Sequence, residues 1–477
     1  MTSTPRIVLA IDNGSQSTKV HLVDEHGRVH ASARRALRPY ALTADGHVVH
    51  PDDDVWDSIR EACREALDRF DGGVDEIVAV GLCTIRFCRA LLDDDGRLTE
   101  PMLSWMDERV GRAHDGAAST ATHVTASSGY VTHRLTGRFR DSRASYQGLW
   151  PIDQVTGEWS SRPGDVARTG LPVGMLAELV SPGDELGTVT AEGSAATGLP
   201  VGLPVYATAN DKAVEALGSG LVSEEQVLLS LGTYIAAMTV GHEPLSTSPD
   251  YWVNFAATPR SYLYESNGIR RGMWTVSWVR DLVSGEAAGS DAGLEERLGL
   301  EAAHVAPGCN GLVAVMDWLA PAEAPFRRGA LLGFDGSQGR GHVYRAVLEG
   351  IALTMHGHLT RMETALGRRF EAVTVSGGGS RSDLMMQILA DVLERPTVRA
   401  VMPDAAGMGA AITAAVGAGI HRDWVAATSE MVAHGATFSP SQDVATYRRI
   451  RARYEGLNDF TDPLFLALQR TPEHVPG

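Results

Sequence analysis

The sequence predicts a two-domain α/β protein with a ligand cleft, and three observations carry that prediction. The chain has 477 residues, more than a single hydrophobic core supports, so two domains are expected. Two separate stretches share one pattern, an apolar strand, a tight glycine-containing turn and a second apolar strand, around Gly14 and around Gly232. A third, Glu371 to Gly379, reads as a strand running into three glycines with a helix after them, a pattern that brings a helix N-terminus close to a bound phosphate.

Composition narrows the function classes. The net charge of -17 argues against a general nucleic-acid binder. Cys63, Cys83, Cys88 and Cys309 form no CxxC pair and read as reduced thiols of a cytoplasmic protein. The N-terminal apolar run is too short for a signal peptide, and no run is long enough to span a membrane. Of 42 basic residues only Lys19 and Lys212 are lysines. Arginine is planar and broad where lysine is a compact point charge, so these two positions are candidates for sites that refuse arginine.

In chain order, Arg6 to Ile11 reads as a buried strand ending at Asp12, and Val20 to Val23 as the strand that returns from the turn. Asp12, Gly14, Ser15 and Lys19 are candidates to hold phosphate, with Asp12 placed to carry magnesium through water. The turn is not a Walker loop, because it enters a strand rather than a helix. Asp52, Asp53 and Asp54 open a helix whose stripe is Val55, Ile59, Cys63, Leu67 and Phe70; three aspartates resemble a metal site, but helix capping is the stronger reading. Glu76 to Leu82 is a strand leading to Arg86 and Phe87. Arg86, with Trp105 further on, suits a polyhydroxylated ligand, although a surface ion pair would look the same. Later, Tyr344 to Leu366 and Gly407 to Ile420 read as helices, the second made of small residues that allow close packing.

The central stretch, Ala207 to Tyr234, joins a candidate base to the second glycine turn. Asn210, Asp211 and Lys212 precede a helical segment, and Gly232 and Thr233 interrupt two apolar runs. Backbone N–H groups at such a turn can face phosphate.

Together these residues resemble the FGGY family of carbohydrate kinases. The resemblance rests on Asp12 to Ser15 with Lys19, Trp105 to Arg109, Leu135 to Gly137 with Asp141, Asp211 with Gly218 and Gly220, Leu231 to Thr233, Gly329 to Glu349, Gly377 to Ser380, and Gly409 to Ala411. These blocks follow the family's order over nearly the whole chain. GSQSTK, IRFCRALL and GIRRGMWTVSW are similar to a little-characterised sugar-kinase branch.

The resemblance implies two actin-like (ribonuclease H-like) domains, residues 1–220 binding sugar and 221–477 binding nucleotide, with the ligand cleft between them. It implies ATP and Mg2+ as cofactors and a small-molecule sugar, polyol or sugar acid as substrate, with a homodimer as a candidate assembly. Asp211 is then the general base and, with Asp12, a metal ligand. Gly14, Ser15, Lys19, Gly232, Thr233, Gly378, Gly379 and Ser382 face the nucleotide, and Arg86, Phe87, Trp105, Asn210 and Lys212 the sugar. Three departures stand out. The segment between Arg109 and Gly129 is short, with a helix-containing piece trimmed. Phe87 replaces a carboxylate or histidine, and Ser382 an amide. The rival reading is a nucleotide-driven, actin- or chaperone-like ATPase, or a sugar-sensing protein, that phosphorylates nothing.

Overall fold

The computed structural model describes residues 5–244, 248–284, 293–401 and 404–469. The strands of its two large sheets are, in chain order, β1 (Ile7–Asn13), β2 (Ser17–Asp24), β3 (Val29–Ala36), β4 (Ile77–Thr84), β5 (Glu185–Thr188), β6 (Pro204–Ala207), β7 (Gln226–Leu231), β8 (Ile235–Gly241), β9 (Tyr251–Phe255), β10 (Tyr262–Ser266), β11 (Ala372–Ser376), β12 (Thr397–Ala400) and β13 (His434–Phe438). The helices that position the site are α1 (Asp54–Asp68), α2 (Ser127–Thr136), α3 (Asp211–Gly218), α4 (Gly272–Ser284), α5 (Arg340–Leu366), α6 (Asp383–Leu393) and α7 (Ala405–Gly417).

The first sheet has the order β5-β6-β4-β1-β2-β3 and the second β9-β10-β8-β7-β11-β12-β13. Each is built around the same unit. A central strand (β1, β7) turns into an antiparallel partner (β2, β8) and is flanked on its other side by a parallel strand (β4, β11), beyond which lies a second parallel strand (β6, β12). The two glycine turns are therefore equivalent, each joining the central strand of its sheet to the next. The sheets differ where β9 is inserted ahead of β10.

Strand alternation decides what each face buries. Ile7, Leu9 and Ile11 of β1 face α1 and α2, meeting Val55, Ile59, Cys63, Tyr130 and Leu135, all essentially inaccessible. Val8 and Ala10 face the other way, toward α7, with α3 beside it. Small residues let α7 approach: a Cβ on Gly81 of β4 would lie 2.3 Å from the Ala410 carbonyl oxygen. The small-residue helix expected near the C-terminus thus packs on the first sheet. In the second sheet Val227, Leu229 and Leu231 pack on α5 and α6, while Leu228 and Met238 join the cluster that holds α3 and α7.

Two local expectations are corrected. Asp53 stands at the N-cap of α1 without a side-chain cap bond; its carboxylate accepts from the Tyr130 hydroxyl and Arg134, while Asp54 accepts from Arg38. The acidic run thus stands at the positive end of α1 as expected, but its carboxylates hold ion pairs rather than cap bonds. Phe70 lies beyond the end of α1. The shortened segment carries no α-helix: between Gly111 and Ser127 it is loop with one short strand, His123–Thr125.

Candidate active site

The first glycine turn is held by its own backbone. Gly14 N–H donates to the Ser17 carbonyl at 3.1 Å, which leaves Ser15 exposed at the tip. The Ser15 carbonyl accepts from the Tyr40 hydroxyl at 3.2 Å, and Tyr40 in turn accepts from the Trp105 indole N–H at 3.2 Å. Trp105, 46% exposed, is thereby tied to the turn.

Behind the turn, register pairs Asp12 directly with Lys19. Lys19 Nζ lies 3.0 Å from Asp12 Oδ2 and 3.0 Å from Asp404 Oδ1, and Asp404 also meets His21 Nε2 at 2.6 Å. Asp404 is the residue before α7, so the close approach of that helix to the sheet delivers a second carboxylate to Lys19. Burial works against the Lys19 charge, but the two aspartates outweigh it and raise its pKa. Burial and the Asp404 charge push Asp12 well above the ordinary carboxylate range, against the pull of Lys19, while His21 and Lys19 overcome burial and hold Asp404 low. Sequence reasoning missed Asp404 and His21.

Asp211 is the first residue of α3, where the helix dipole favours an anion. Its Oδ1 accepts from the Lys212 N–H at 3.0 Å and lies 3.8 Å from Arg86 Nε. Burial raises its pKa, with Arg86 and Lys212 acting in the opposite sense. The Asp211 charge adds in a minor way to the raised pKa of Asp12.

Arg86 reaches across from the first lobe to the second. Its two terminal nitrogens meet the Glu265 carboxylate of β10 at 2.8 and 3.1 Å. The guanidinium carbon lies 4.6 Å from the Trp252 ring centre and 5.4 Å from that of Phe87, and the two rings are near parallel, 6.2 Å apart. Phe87 takes a left-handed φ of 67° to reach this position, a conformation that costs a bulky residue energy. Glu265 and Trp252 had no local sequence signal as partners of Arg86, from which Glu265 is separated by 179 positions.

Other sequence candidates serve different ends. Asn210 is buried as the N-cap of α3: its side-chain oxygen accepts from the N–H groups of Lys212 and Ala213, and its amide donates to the Ala144 carbonyl. Ser382 is the N-cap of α6 and accepts from Met385 N–H. Both hydroxyl and amide groups are engaged with backbone. Lys212 turns to Glu215 at 2.6 Å, and Glu215 accepts from Ser230 and Ser376 of the second sheet. Lys212 and Asp211 therefore point to different partners.

On the nucleotide side, the carbonyls of Gly232 and Thr233 accept from Met273 and Gly272 N–H at the start of α4. Gly377 holds φ 85°, and a Cβ there would lie 2.5 Å from the Leu231 carbonyl oxygen, so this loop is pressed against the second turn. Gly378 has nothing within 4 Å of its Cβ direction, leaving its surface open toward a ligand.

Comparison with known proteins gives the family. The model of the FGGY family of carbohydrate kinases, N-terminal domain, matches residues 7–115, and that of the C-terminal domain matches residues 227–418. The chain belongs to the FGGY family of carbohydrate kinases. It is 40% identical over 477 residues to an uncharacterized sugar kinase, YgcE, of Escherichia coli (strain K12), covering 99% of this chain and 96% of that protein. It is 24% identical to the xylulose kinase of Bacillus subtilis (strain 168), covering 97% and 99%. Among solved structures, the xylulose kinase from Rhodospirillum rubrum superposes with a TM-score of 0.85 at 25% identity, covering 96% of this chain and all of that one. The glycerol kinase of Plasmodium falciparum with ADP superposes at 0.81 with 15% identity, which speaks to the fold. This FGGY protein is thus a carbohydrate kinase with the actin-like two-domain fold, and membership implies that it uses ATP. Among the described residues, no helix is long and apolar enough to cross a membrane.

Proposed function

We propose that this FGGY kinase transfers the terminal phosphoryl group of ATP to a hydroxyl of a sugar or polyol, with Asp211 as the general base. The observation that carries the reading is the position of Asp211: it opens α3, faces Arg86 at 3.8 Å, and shares electrostatic space with Asp12 behind the first glycine turn. A hydroxyl held by Arg86 would give its proton to Asp211 as its oxygen attacks the phosphorus, and ADP would leave; Phe87 and Trp105 would line the sugar side. Phosphoryl transfer asks mainly for positioning and charge stabilisation. The turns around Ser15 and around Gly232 and Thr233 would face the phosphates, the Gly14 N–H being spent on the Ser17 carbonyl; Gly378 would give the nucleotide a surface, with Gly379 buried behind it against Leu231 and Met273, and Lys19 would add a nearby positive charge.

Magnesium fits the acidic pair. Asp12 is buried beside a second carboxylate, Asp404, and both raise its proton affinity, with Asp211 adding a smaller push in the same direction, so the place gains from a divalent cation. One or two carboxylates with phosphate oxygens and waters are enough for that ion. Asp12 would hold it, with Asp211 beside it, and it would neutralise phosphate charge. Asn210 and Ser382 act in this reading as helix caps that fix Asp211 and the nucleotide loop, and Lys212 as a partner of Glu215.

The same proposal takes residues 1–220 as the sugar lobe and 221–477 as the nucleotide lobe, a division that follows the two sheets and is crossed by α7. It also takes the enzyme to be cytoplasmic, which four buried free thiols support.

The test is ADP release over a panel of ketoses, aldoses and polyols, with Asp211→Ala beside the parent. The variant should lose roughly 10²–10⁴-fold in kcat, the usual worth of a general base, with ATP affinity little changed. Full turnover by the variant on the true substrate would remove Asp211 from the role. ATP hydrolysis indifferent to every sugar would favour the ATPase reading.

A further inference from the structure

Two cations adjoin Asp211, Arg86 and Lys212, and each already holds a carboxylate. Lys212 is paired with Glu215 at 2.6 Å. Arg86 is paired with Glu265, whose side chain is 0% exposed against 12% for Arg86. The Arg86 pair is fork to fork, so one N–H of each terminal nitrogen is committed to Glu265 and the pair carries no net charge. Only the Nε edge is turned toward Asp211, at 3.8 Å. The Trp252 and Phe87 rings flank the guanidinium and hold it in that plane. Other cations of the neighbourhood are engaged elsewhere: Arg89, 2% exposed, lies against the Arg109 and Val110 carbonyls and the Trp150 ring, and Arg270 donates to the Ala320 carbonyl.

We infer that Glu265 sets the charge class of the substrate: by neutralising Arg86 it reserves the site for uncharged polyols and ketoses and turns sugar acids away. A hydroxyl suits what remains. It can accept from Arg86 Nε and donate to Asp211, and so needs no net charge. An aldonate carboxylate would arrive beside Asp211 with each adjoining cation already paired, Arg86 to Glu265 and Lys212 to Glu215. Unpaired like charges in a partly buried site are strongly disfavoured. Glu265 never touches the reacting atoms in this scheme; it is a positioning residue that acts through Arg86. The inference rests on the sugar-kinase reading above.

The experiment uses matched pairs of one carbon skeleton: xylitol and xylonate, ribitol and ribonate, arabinitol and arabinonate, glucitol and gluconate, together with the ketopentoses. Both kcat/KM and calorimetric affinity are measured for the full-length enzyme, for Glu265→Gln and for the double variant Arg86→Gln, Glu265→Gln. The parent should favour the uncharged member of every pair it accepts. Glu265→Gln, which frees one fork of Arg86 for an incoming anion, should move the aldonate-to-polyol ratio upward by about tenfold or more. The double variant, with neither charge, should return that ratio toward the parent value, which a general loss of structure would not do. A parent that prefers the aldonate overturns the inference, and so does a Glu265→Gln enzyme that weakens both members of a pair by the same factor. If nothing on the panel is phosphorylated, the kinase reading fails separately, and the calorimetric preference of the parent still decides the charge class. Absence of binding to any member overturns both.

Discussion

Gly409→Ala tests how the proposed base, Asp211, is held in place. A methyl on Gly409 of α7 would lie 1.9 Å from the Val214 carbonyl oxygen of α3, and the reciprocal contact is as close, since a Cβ on Gly218 would lie 1.9 Å from the Ala405 carbonyl oxygen. Carbon normally approaches such an atom no nearer than about 3.4 Å, so the helices must part by about 1.5 Å. Helix α7 has little room to retreat, because Gly81 of β4 brings the sheet just as near to its other side. Helix α3 must therefore move, and it carries Asp211 at its first position. Overpacking of this kind costs about 1–3 kcal/mol, and a displacement of about 1 Å at a reacting group costs about 10²-fold in rate. The expected variant is folded, melts several degrees lower, and has kcat reduced about 10²-fold at a temperature where both proteins are folded. Gly357→Ala in α5 is the control: the nearest atom to its Cβ is Arg361 Nη1 at 3.4 Å, so helix propensity should make it neutral or stabilising by about 0.5–1 kcal/mol. An unchanged melting temperature for Gly409→Ala would refute the close crossing. A lowered melting temperature with unchanged kcat would keep the crossing and deny that it positions Asp211.

Three further outcomes are expected. Burial raises the Asp211 pKa, so the acid limb of kcat/KM, where the base gains its proton as pH falls, should sit above the ordinary carboxylate range; a limb near the free-aspartate value of about 3.9 would contradict that environment. His50 is 1% exposed, and burial pushes it down to about 4 despite the Asp54 charge, so its folded pKa lies below its unfolded one. Its contribution is then fully present above about pH 6.5 and lost as pH falls through 4, by at most about 3 kcal/mol, and denaturant unfolding of His50→Gln should show a flatter acid profile than the parent. Lys19→Met strips the cation from Asp12 and Asp404, so its loss of stability should be greater at pH 8 than at pH 5, where protonation relieves the pair; an equal loss at both, measured by the same unfolding, would mean that Lys19 is not their common partner.

Local periodicity and turn chemistry were enough to read the strands on either side of both glycine turns, the long helix through Tyr344 to Leu366, the small-residue helix after Asp404, and Asp211 at a helix start. Those signals sit within a few residues of one another. The partners that complete the site do not: Glu265 joins Arg86 across 179 positions, and Asp404 joins Lys19 across 385. Arg86 looked equally like a surface ion pair, and only burial of its partner separates the cases. Asn210 and Ser382 teach the opposite lesson. Each is a small polar residue just ahead of a helix, the pattern of an N-cap, and the structure shows that capping role, which the sequence reading passed over. The doubled strand unit escaped sequence comparison because the two lobes share an order of pairing, not residues, and because β9 interrupts the second.

The two lysines show why the lobes cannot be treated as independent units. Lys19 is in β2, yet half of its ion-pair shell is Asp404, delivered by a helix from the far end of the chain. Lys212 is in α3, yet its partner Glu215 is held by Ser230 and Ser376 from the second sheet. Each site places a point charge between a strand and a helix belonging to different parts of the chain, and in each the ammonium meets more than one oxygen at close range. A guanidinium, planar and longer, would fill the gap at Lys19 sideways and separate Asp12 from Asp404. That gives a physical reason for lysine to persist at these two positions in a chain whose other basic residues are all arginine. It also links the proposed base to the first glycine turn: α3 and α7 pack together, α3 begins with Asp211, and α7 begins beside Asp404, so a shift of either helix is felt at both carboxylate clusters.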